Sequence, residues 1–178
     1  MAHDELVARA RGGDADAWAS LYREHAGRLL AWLAYSAPRE ATAGAEDLGA
    51  AVWLTAAEGI GRFQGGDADF PGWLFGIARN HVRNATRTLA RRATGAVEDT
   101  VLEANLAEAP PVDLQVVADT WVRDALAALP AREREVITCT EVVGLDAATT
   151  ATALGISAVA VRVARHRGLS RLRKAAGG

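Results

Sequence analysis

The densest chemistry in this sequence lies between Arg79 and Arg87, where Arg79, Arg83 and Arg87 repeat at every fourth position with Asn80 and Asn84 beside them. On a helix that spacing puts three guanidinium forks and two carboxamides on one face. Planar, bidentate donors of this kind match phosphate oxygens and base edges. Taken alone, the same stripe is equally well read as a solvated basic face. A second basic set closes the chain: Arg162, Arg165, Arg167, Arg171, Arg173 and Lys174, with no acid after Arg162. Between Leu89 and Thr120 the balance is reversed, with Glu98, Asp99, Glu103, Glu108, Asp113 and Asp119 against Arg91 and Arg92. The formal net charge of −2 therefore averages over a sorted distribution. A basic end of this kind, in a chain with nineteen arginines and one lysine, is what a nucleic-acid partner requires.

Catalytic readings find less support. His3, His25, His81 and His166 show no metal spacing such as HExxH, and no glycine loop after a strand could cradle phosphate. The chain is therefore read as a binding protein, not an enzyme, with no cofactor. Cys139 is the only cysteine, which excludes an internal disulfide and a cysteine-based metal site and predicts a buried, reduced thiol. The N-terminal MAHDELVARARGGD has no apolar signal core, and no apolar run approaches the ~18 residues of a membrane span. A cytoplasmic protein without membrane insertion is expected.

The elements that must carry these faces are helices, because half of the 178 residues are hydrophobic, alanine dominates and arginine far outnumbers lysine. An all-α chain is predicted. Leu6, Val7 and Ala10 begin a short helix that Gly12 and Gly13 interrupt. Asp14 or Asp16 then caps a long helix with the apolar stripe Trp18, Leu21, Tyr22, His25, Leu29, Trp32 and Leu33. His25 on that stripe reads as a hydrogen-bonded core histidine. Ser36 to Gly44 is a loop.

From Ala45 to Arg87 two helices are joined by a loop rich in glycine and aspartate. In the first, Leu48, Val52, Ala56, Ile60 and Phe63 form the core stripe, and Asp47, Ala51, Leu54 and Glu58 form a second face suited to docking. In the second, Leu74, Ile77, Ala78, His81 and Ala85 face inward. Periodicity decays from Thr88 to Asp119, a linker that divides the chain into two domains. Beyond it, a helix from Trp121 ends before Pro130, and another from Arg132 to Val143 turns Val136, Ile137 and Val143 inward before Gly144 stops it. Asp146 caps a short helix ending at Leu154, Gly155 takes the left-handed closing position, and Ser157 caps the basic final helix. This is a helix-turn-helix with its second helix in the recognition position.

The two halves together resemble the sigma-70 family of bacterial transcription initiation factors, in its compact extracytoplasmic-function (ECF) group with regions 2 and 4 only. In the first half the resemblance rests on Ala45-Glu46-Asp47-Leu48, Val52-Trp53-Leu54, Arg62-Phe63 and Trp73-Leu74-Phe75-Gly76-Ile77-Ala78-Arg79-Asn80. In the second it rests on Ala128-Leu129-Pro130, Arg132-Glu133-Arg134-Glu135-Val136, Gly144-Leu145, Ala153-Leu154-Gly155-Ile156-Ser157, Val161-Arg162-Val163 and His166-Arg167. It implies region 2 at residues 1–91, a flexible linker at 92–119 that threads toward the RNA exit path, and region 4 at 120–178.

The resemblance also assigns surfaces. Asp47, Leu48, Ala50, Ala51, Leu54 and Glu58 would dock on the clamp helices of the largest subunit of core RNA polymerase, with the polymerase flap as a further contact. The loop with Gln64, Gly65, Gly66, Asp67 and Phe70, backed by Asn80, Arg83, Asn84 and Arg87, would take the melted minus-10 strand. Its glycines would let a backbone approach a flipped base, and Gln64 or Asp67 could pair with a base edge. Ser157, Ala160, Arg162, Val163, His166, Arg167 and Arg171 would meet the minus-35 duplex, with Arg162, Val163 and His166 at base edges and Arg167 and Arg171 on phosphate. Core polymerase, promoter DNA and an anti-sigma factor are the implied partners. A sigma-like decoy that binds an anti-sigma factor without driving transcription is the alternative.

The sequence departs from the family pattern at four places, one of them the loop before Trp73, which is about one residue longer than usual. Ala50-Ala51 stand where the family usually has a Gln-Glu pair, and Ala160 where it usually has a hydroxyl. The pattern also places an arginine at position 164 and a branched apolar residue at 165, where this chain has Ala164 and Arg165. Either Arg165 snorkels out or the helix rotates to turn Ala164 inward.

Overall fold

The computed structural model describes residues 5–38, 44–95 and 114–177, and every regular element among them is helical. Helix α1 spans Glu5–Arg11 and α2 Ala15–Ser36, with Gly13 at φ 85° between them. Asp14 caps α2, its side chain accepting from the N–H groups of Asp16 and Ala17. The buried face of α2 is Ala17, Leu21, His25, Ala26, Leu29, Trp32 and Leu33. It is rotated from the predicted stripe, because Trp18 is half-buried and Tyr22 is 51% exposed. Trp18 instead donates its indole N–H to the Ala10 carbonyl at 3.1 Å, tying α2 to the end of α1.

Helix α3 spans Ala45–Gly59 and tightens into a 3-10 turn at Ile60–Arg62; α4 spans Phe70–Gly95. Leu48, Val52, Ala56 and Ile60 form the α3 side of the core as predicted. On α4 the fully buried large or apolar residues are Phe70, Leu74, Phe75 and Ala78, with Val82 just inside. Ile77, His81 and Ala85 are half-buried, so the inward face of α4 is centred one residue away from the expected one. His81 bridges the helices, its Nε2 lying 2.9 Å from Thr55 Oγ1.

The second module comprises α5 (Leu114–Ala127), α6 (Ala131–Ile137), α7 (Ala147–Leu154) and α8 (Ala158–Ala176). Pro130 precedes α6, where its missing N–H is not needed. The helix widens after Ile137 into a π turn at Thr138–Val142, and the Val143 N–H reaches the Thr138 carbonyl five residues back at 3.1 Å. Gly144 at φ 71° ends it. Asp146 caps α7 by accepting from the Thr149 N–H at 2.8 Å, Gly155 at φ 62° closes that helix, and Ser157 Oγ caps α8 by accepting from the Ala160 N–H at 3.1 Å. Helix α4 runs past the expected start of the linker and α5 begins before its expected end; residues 96–113 lie outside the described structure.

The modules pack against each other. One hydrophobic cluster runs from Trp32, Phe75 and Ala78 into Val136, Cys139, Leu154 and Val161. Helix α4 lies close on α7: a Cβ at Gly72 would stand 2.9 Å from Thr152 Cβ and Cγ2, so glycine is the residue this approach allows. Arg79 Nε and Nη2 donate to the two carboxylate oxygens of Glu135 at 2.9 and 3.1 Å, and Arg123 sits 5.1 Å from the ring centroid of Tyr35. Among the described residues no single helix is long and apolar enough to cross a membrane.

Candidate functional site

Helix α4 carries its cations outward. Asn80, Arg83, Asn84 and Arg87 are all exposed, because the core takes the face through Leu74, Ala78 and Val82. Arg79, on the same stripe by spacing, is instead committed to Glu135. The exposed face of α4 thus holds two amides and two guanidinium groups.

Phe70 contradicts its predicted role at the minus-10 strand. It is fully buried, with His25, Trp53, Phe63 and Trp73 around it at centroid distances of 5.5, 6.3, 6.3 and 5.7 Å. As the first residue of α4 it anchors the loop from beneath, where DNA cannot reach it. Gly65 is also needed for packing, since a Cβ there would meet Phe63 Cζ at 2.6 Å and Asp69 Cβ at 2.9 Å. The Gly66 N–H donates to Asp69 Oδ2 at 3.2 Å, and its carbonyl accepts from Asp69 and Phe70, which forms a tight turn. Asp67 does not stand free to pair with a base: its oxygens accept from the backbone N–H groups of Val7 at 2.7 Å and Leu6 at 3.1 Å. Gln64 is exposed at the loop's edge.

On α3 the predicted docking residues split. Leu48 is 6% exposed and belongs to the core stripe, which corrects its inclusion in a polymerase-facing set. Asp47, Ala50 and Glu58 are exposed, Ala51 is half-buried, and Leu54 is 62% exposed at the centre of the face. Leu54 is thus a large aliphatic side chain left in water between the exposed carboxylates of Asp47 and Glu58.

In α8 the helix-turn-helix presents Arg162, Val163, His166 and Arg167 to solvent, with Ser157 and Ala160 at its N-terminal end. Val161, Ala164 and Gly168 face inward. The departure at 164 and 165 is resolved by turning Ala164 inward. Arg165 is exposed and holds Glu141 of the π turn through Nε at 2.6 Å and Nη2 at 3.2 Å. That donation keeps the Glu141 carboxyl below its ordinary range. Arg171, predicted to grip phosphate, lies with Nε 3.0 Å from Glu133 Oε2 in an ion pair without hydrogen-bond alignment. Its side chain is 60% exposed, so the pair does not take it out of water.

Two buried titratable groups sit away from these faces. His25 is 2% exposed, and burial holds its imidazole below the ordinary histidine value. The Cys139 thiol is buried and is pushed up to about 12 by that burial, as expected of an unreactive reduced cysteine. His3 lies outside the described residues.

A two-module helical chain with an exposed basic and amide helix face in one half and a helix-turn-helix in the other has the architecture of a two-part DNA-binding protein. Residues 21–92 match the family model for sigma-70 region 2, and residues 119–172 that for sigma-70, region 4. The chain is 34% identical over 170 residues to the RNA polymerase sigma factor CarQ of Myxococcus xanthus, covering 95% of this chain and 94% of CarQ. It is 32% identical over 170 residues to the ECF RNA polymerase sigma factor BldN of Streptomyces coelicolor, covering 94% of this chain, and 37% identical over 131 residues to the ECF sigma factor SigD of Mycobacterium tuberculosis, covering 72%. These alignments span 63% of BldN and 61% of SigD. Among solved structures, CnrH in complex with the cytosolic domain of CnrY superposes with a TM-score of 0.74 at 23% identity, over 99% of this chain and 98% of that one. The sigma factor RpoE in complex with the anti-sigma factor NepR from Bartonella quintana gives 0.60 at 23% identity, over 87% and 95%. Both likenesses are of fold. The chain belongs to the ECF sigma factors of the sigma-70 family.

Proposed function

We propose that this chain is a transcription initiation factor that binds core RNA polymerase and directs it to two-part promoters. It acts in the cytoplasm by binding, without catalysis. The observation that carries this reading is the separation of three exposed faces onto three helices: Leu54 with Asp47, Ala50 and Glu58 on α3, Asn80–Arg87 on α4, and Arg162–Arg167 on α8. The α3 face would dock on the clamp helices of the polymerase. The α4 face, with Gln64, would hold the melted minus-10 strand, since amides and guanidinium forks pair with base edges and phosphates but do no bond chemistry. Region 4 would read the minus-35 duplex, its Arg162, Val163 and His166 at base edges and Arg167 and Arg171 on phosphate. Binding energy gained on the unpaired strand would then offset the cost of opening the duplex.

An anti-sigma factor is the third proposed partner. The apolar groove of about 750 Å³ between α5, the π turn and the end of α8, with Trp121 65% exposed at its rim, supports a protein ligand on region 4. Ala50 and Ala51 favour one rival, a decoy that binds the anti-sigma factor only, because methyl groups replace a polar pair at the docking face. Mixing the protein with core polymerase and a promoter library separates the readings. Defined transcripts are expected. Polymerase binding without transcripts would leave the decoy, and no polymerase binding would end the initiation reading.

A further inference from the structure

The loop assigned to the minus-10 strand is held on both sides by helix α1, and among the described residues the side-chain hydrogen bonds that join the two come from Asp67 and Arg11. From the loop, Asp67 reaches the start of α1, with Oδ1 accepting from the Val7 N–H at 2.7 Å and Oδ2 from the Leu6 N–H at 3.1 Å. These donors belong to the first turn of α1, and no carbonyl of Glu5–Arg11 stands four residues before them. From the other end of the same helix, Arg11 reaches back to the loop's entry. Its Nε donates to the Ile60 carbonyl at 3.3 Å, and its Nη2 to the carbonyls of Phe63 at 2.9 Å and Gly65 at 3.4 Å. The Phe63 and Gly65 carbonyls lie at the loop's entry, and the Ile60 carbonyl, which also accepts from the Phe63 N–H at 3.2 Å, opens the 3-10 turn, so the planar fork of Arg11 ties the turn to the loop.

Helix α1 has seven residues, too short to persist alone, and it is seated by Val7 and Ala10 in the core. Loop and helix therefore order each other. Asp67 caps the helix, and the helix carries Arg11 to the loop.

We infer that Arg11 and Asp67 are positioning residues for minus-10 selectivity. They fix the backbone of residues 63–67, and base-edge reading in this loop falls to Gln64, whose side chain is exposed. Asp67 has both oxygens engaged by backbone donors and takes no part in pairing with a base. This inference rests on the assignment of the loop to the melted strand.

The test uses full-length protein with core polymerase and fork-junction DNA of a minus-10 sequence drawn from the promoter library, with each of the four bases in turn at each unpaired position. Wild type is expected to discriminate among bases at one position. Gln64→Ala should abolish that discrimination. Arg11→Ala and Asp67→Ala should each reduce the ratio of best to worst base by about tenfold, the scale of one lost bidentate base contact. Affinity for core polymerase and for a minus-35 duplex should stay within about twofold. Arg11→Lys should restore part of the ratio, because an ammonium can meet one of the three carbonyls but not the fork. Hydrogen exchange at the Leu6 and Val7 amides should accelerate in Asp67→Ala.

Loss of discrimination in Asp67→Ala with those two amides still protected would make Asp67 a direct reader and overturn the inference. So would an unchanged ratio in Arg11→Ala. If wild type itself discriminates at no position, the assignment of the loop to the melted strand fails first, and the positioning roles fail with it.

Discussion

Turning Ala164 inward leaves α8 without a branched side chain at the centre of its buried face, and Gly168 lets the helix move closer to compensate. A Cβ at Gly168 would stand 2.7 Å from Ile137 Cγ1 and 3.2 Å from Cδ1, so α8 rests directly on α6 there. Gly168→Leu should therefore destabilise the protein by about 1–3 kcal/mol, although leucine is the better helix former. Thermal unfolding checks this, and an unchanged midpoint would mean that α8 sits farther out. Arg165→Ala, by comparison, should leave the unfolding midpoint nearly unchanged, because the Arg165–Glu141 pair is exposed and screened. His25 makes a prediction of the opposite kind, in pH. Burial lowers its folded pKa below the unfolded value, so the unfolded chain takes up the proton first as pH falls. Its contribution is present in full above the ordinary histidine range and is lost as pH drops through that range toward the folded pKa. Denaturant unfolding should show stability falling as pH decreases from about 7.5 to 5, and His25→Gln should flatten that part of the profile.

Helix α4 shows how one element serves three neighbours. Leu74, Ala78 and Val82 face the core, Gly72 and Arg79 face the second module, and Asn80, Arg83, Asn84 and Arg87 face water. Arg83→Ala should weaken binding of holoenzyme to fork-junction DNA more than to a minus-35 duplex, and should lower the salt dependence of fork binding by about 0.7 per charge lost. Titrations at several salt concentrations read both, and an equal loss on the two DNAs would remove α4 from the strand-holding role. What the sequence reveals of such an element depends on how local the cause is. Asp14, Asp146, Ser157 and Gly155 are legible because a cap is decided within a few residues of itself. The outward stripe of α4 and the recognition helix are legible from periodicity and charge. Phe70 is not, because its burial depends on four aromatic rings brought in from α2, α3, the residue that ends the 3-10 turn, and α4. Arg11 carries no local signal, since the carbonyls it serves lie about fifty residues away in sequence. The choice between Trp18 and Ala17 on α2 is set by the short helix packed beside it.

At the scale of the whole chain, the two-part promoter proposed for it sets a span that the two modules, packed as they are, do not reach. A compact chain of this length has a radius of gyration of ~16 Å, or roughly 40 Å across. Minus-10 and minus-35 elements are separated by about 25 base pairs, or ~85 Å of duplex at 3.4 Å per pair. The α4–α7 contact would therefore have to open when both elements are bound. Part of it suits such a step, namely a glycine packed on Thr152, a Gly76 facing the Ala153 backbone, and the partly exposed pair Arg79–Glu135, while opening would also expose the apolar surface that Phe75 and Leu154 share in the common cluster. Gly72→Leu should force the modules apart, since its side chain has no room beside Thr152. Glu135→Lys should do the same by placing like charge against Arg79. Small-angle scattering of the free protein should show a larger radius of gyration for both variants, with far-UV circular dichroism unchanged because each module keeps its own helices. If opening limits promoter engagement, both variants should also form holoenzyme–promoter complexes faster than wild type. An expanded variant with an unchanged association rate would show instead that polymerase opens the contact before DNA arrives, and would move the step to the docking of α3.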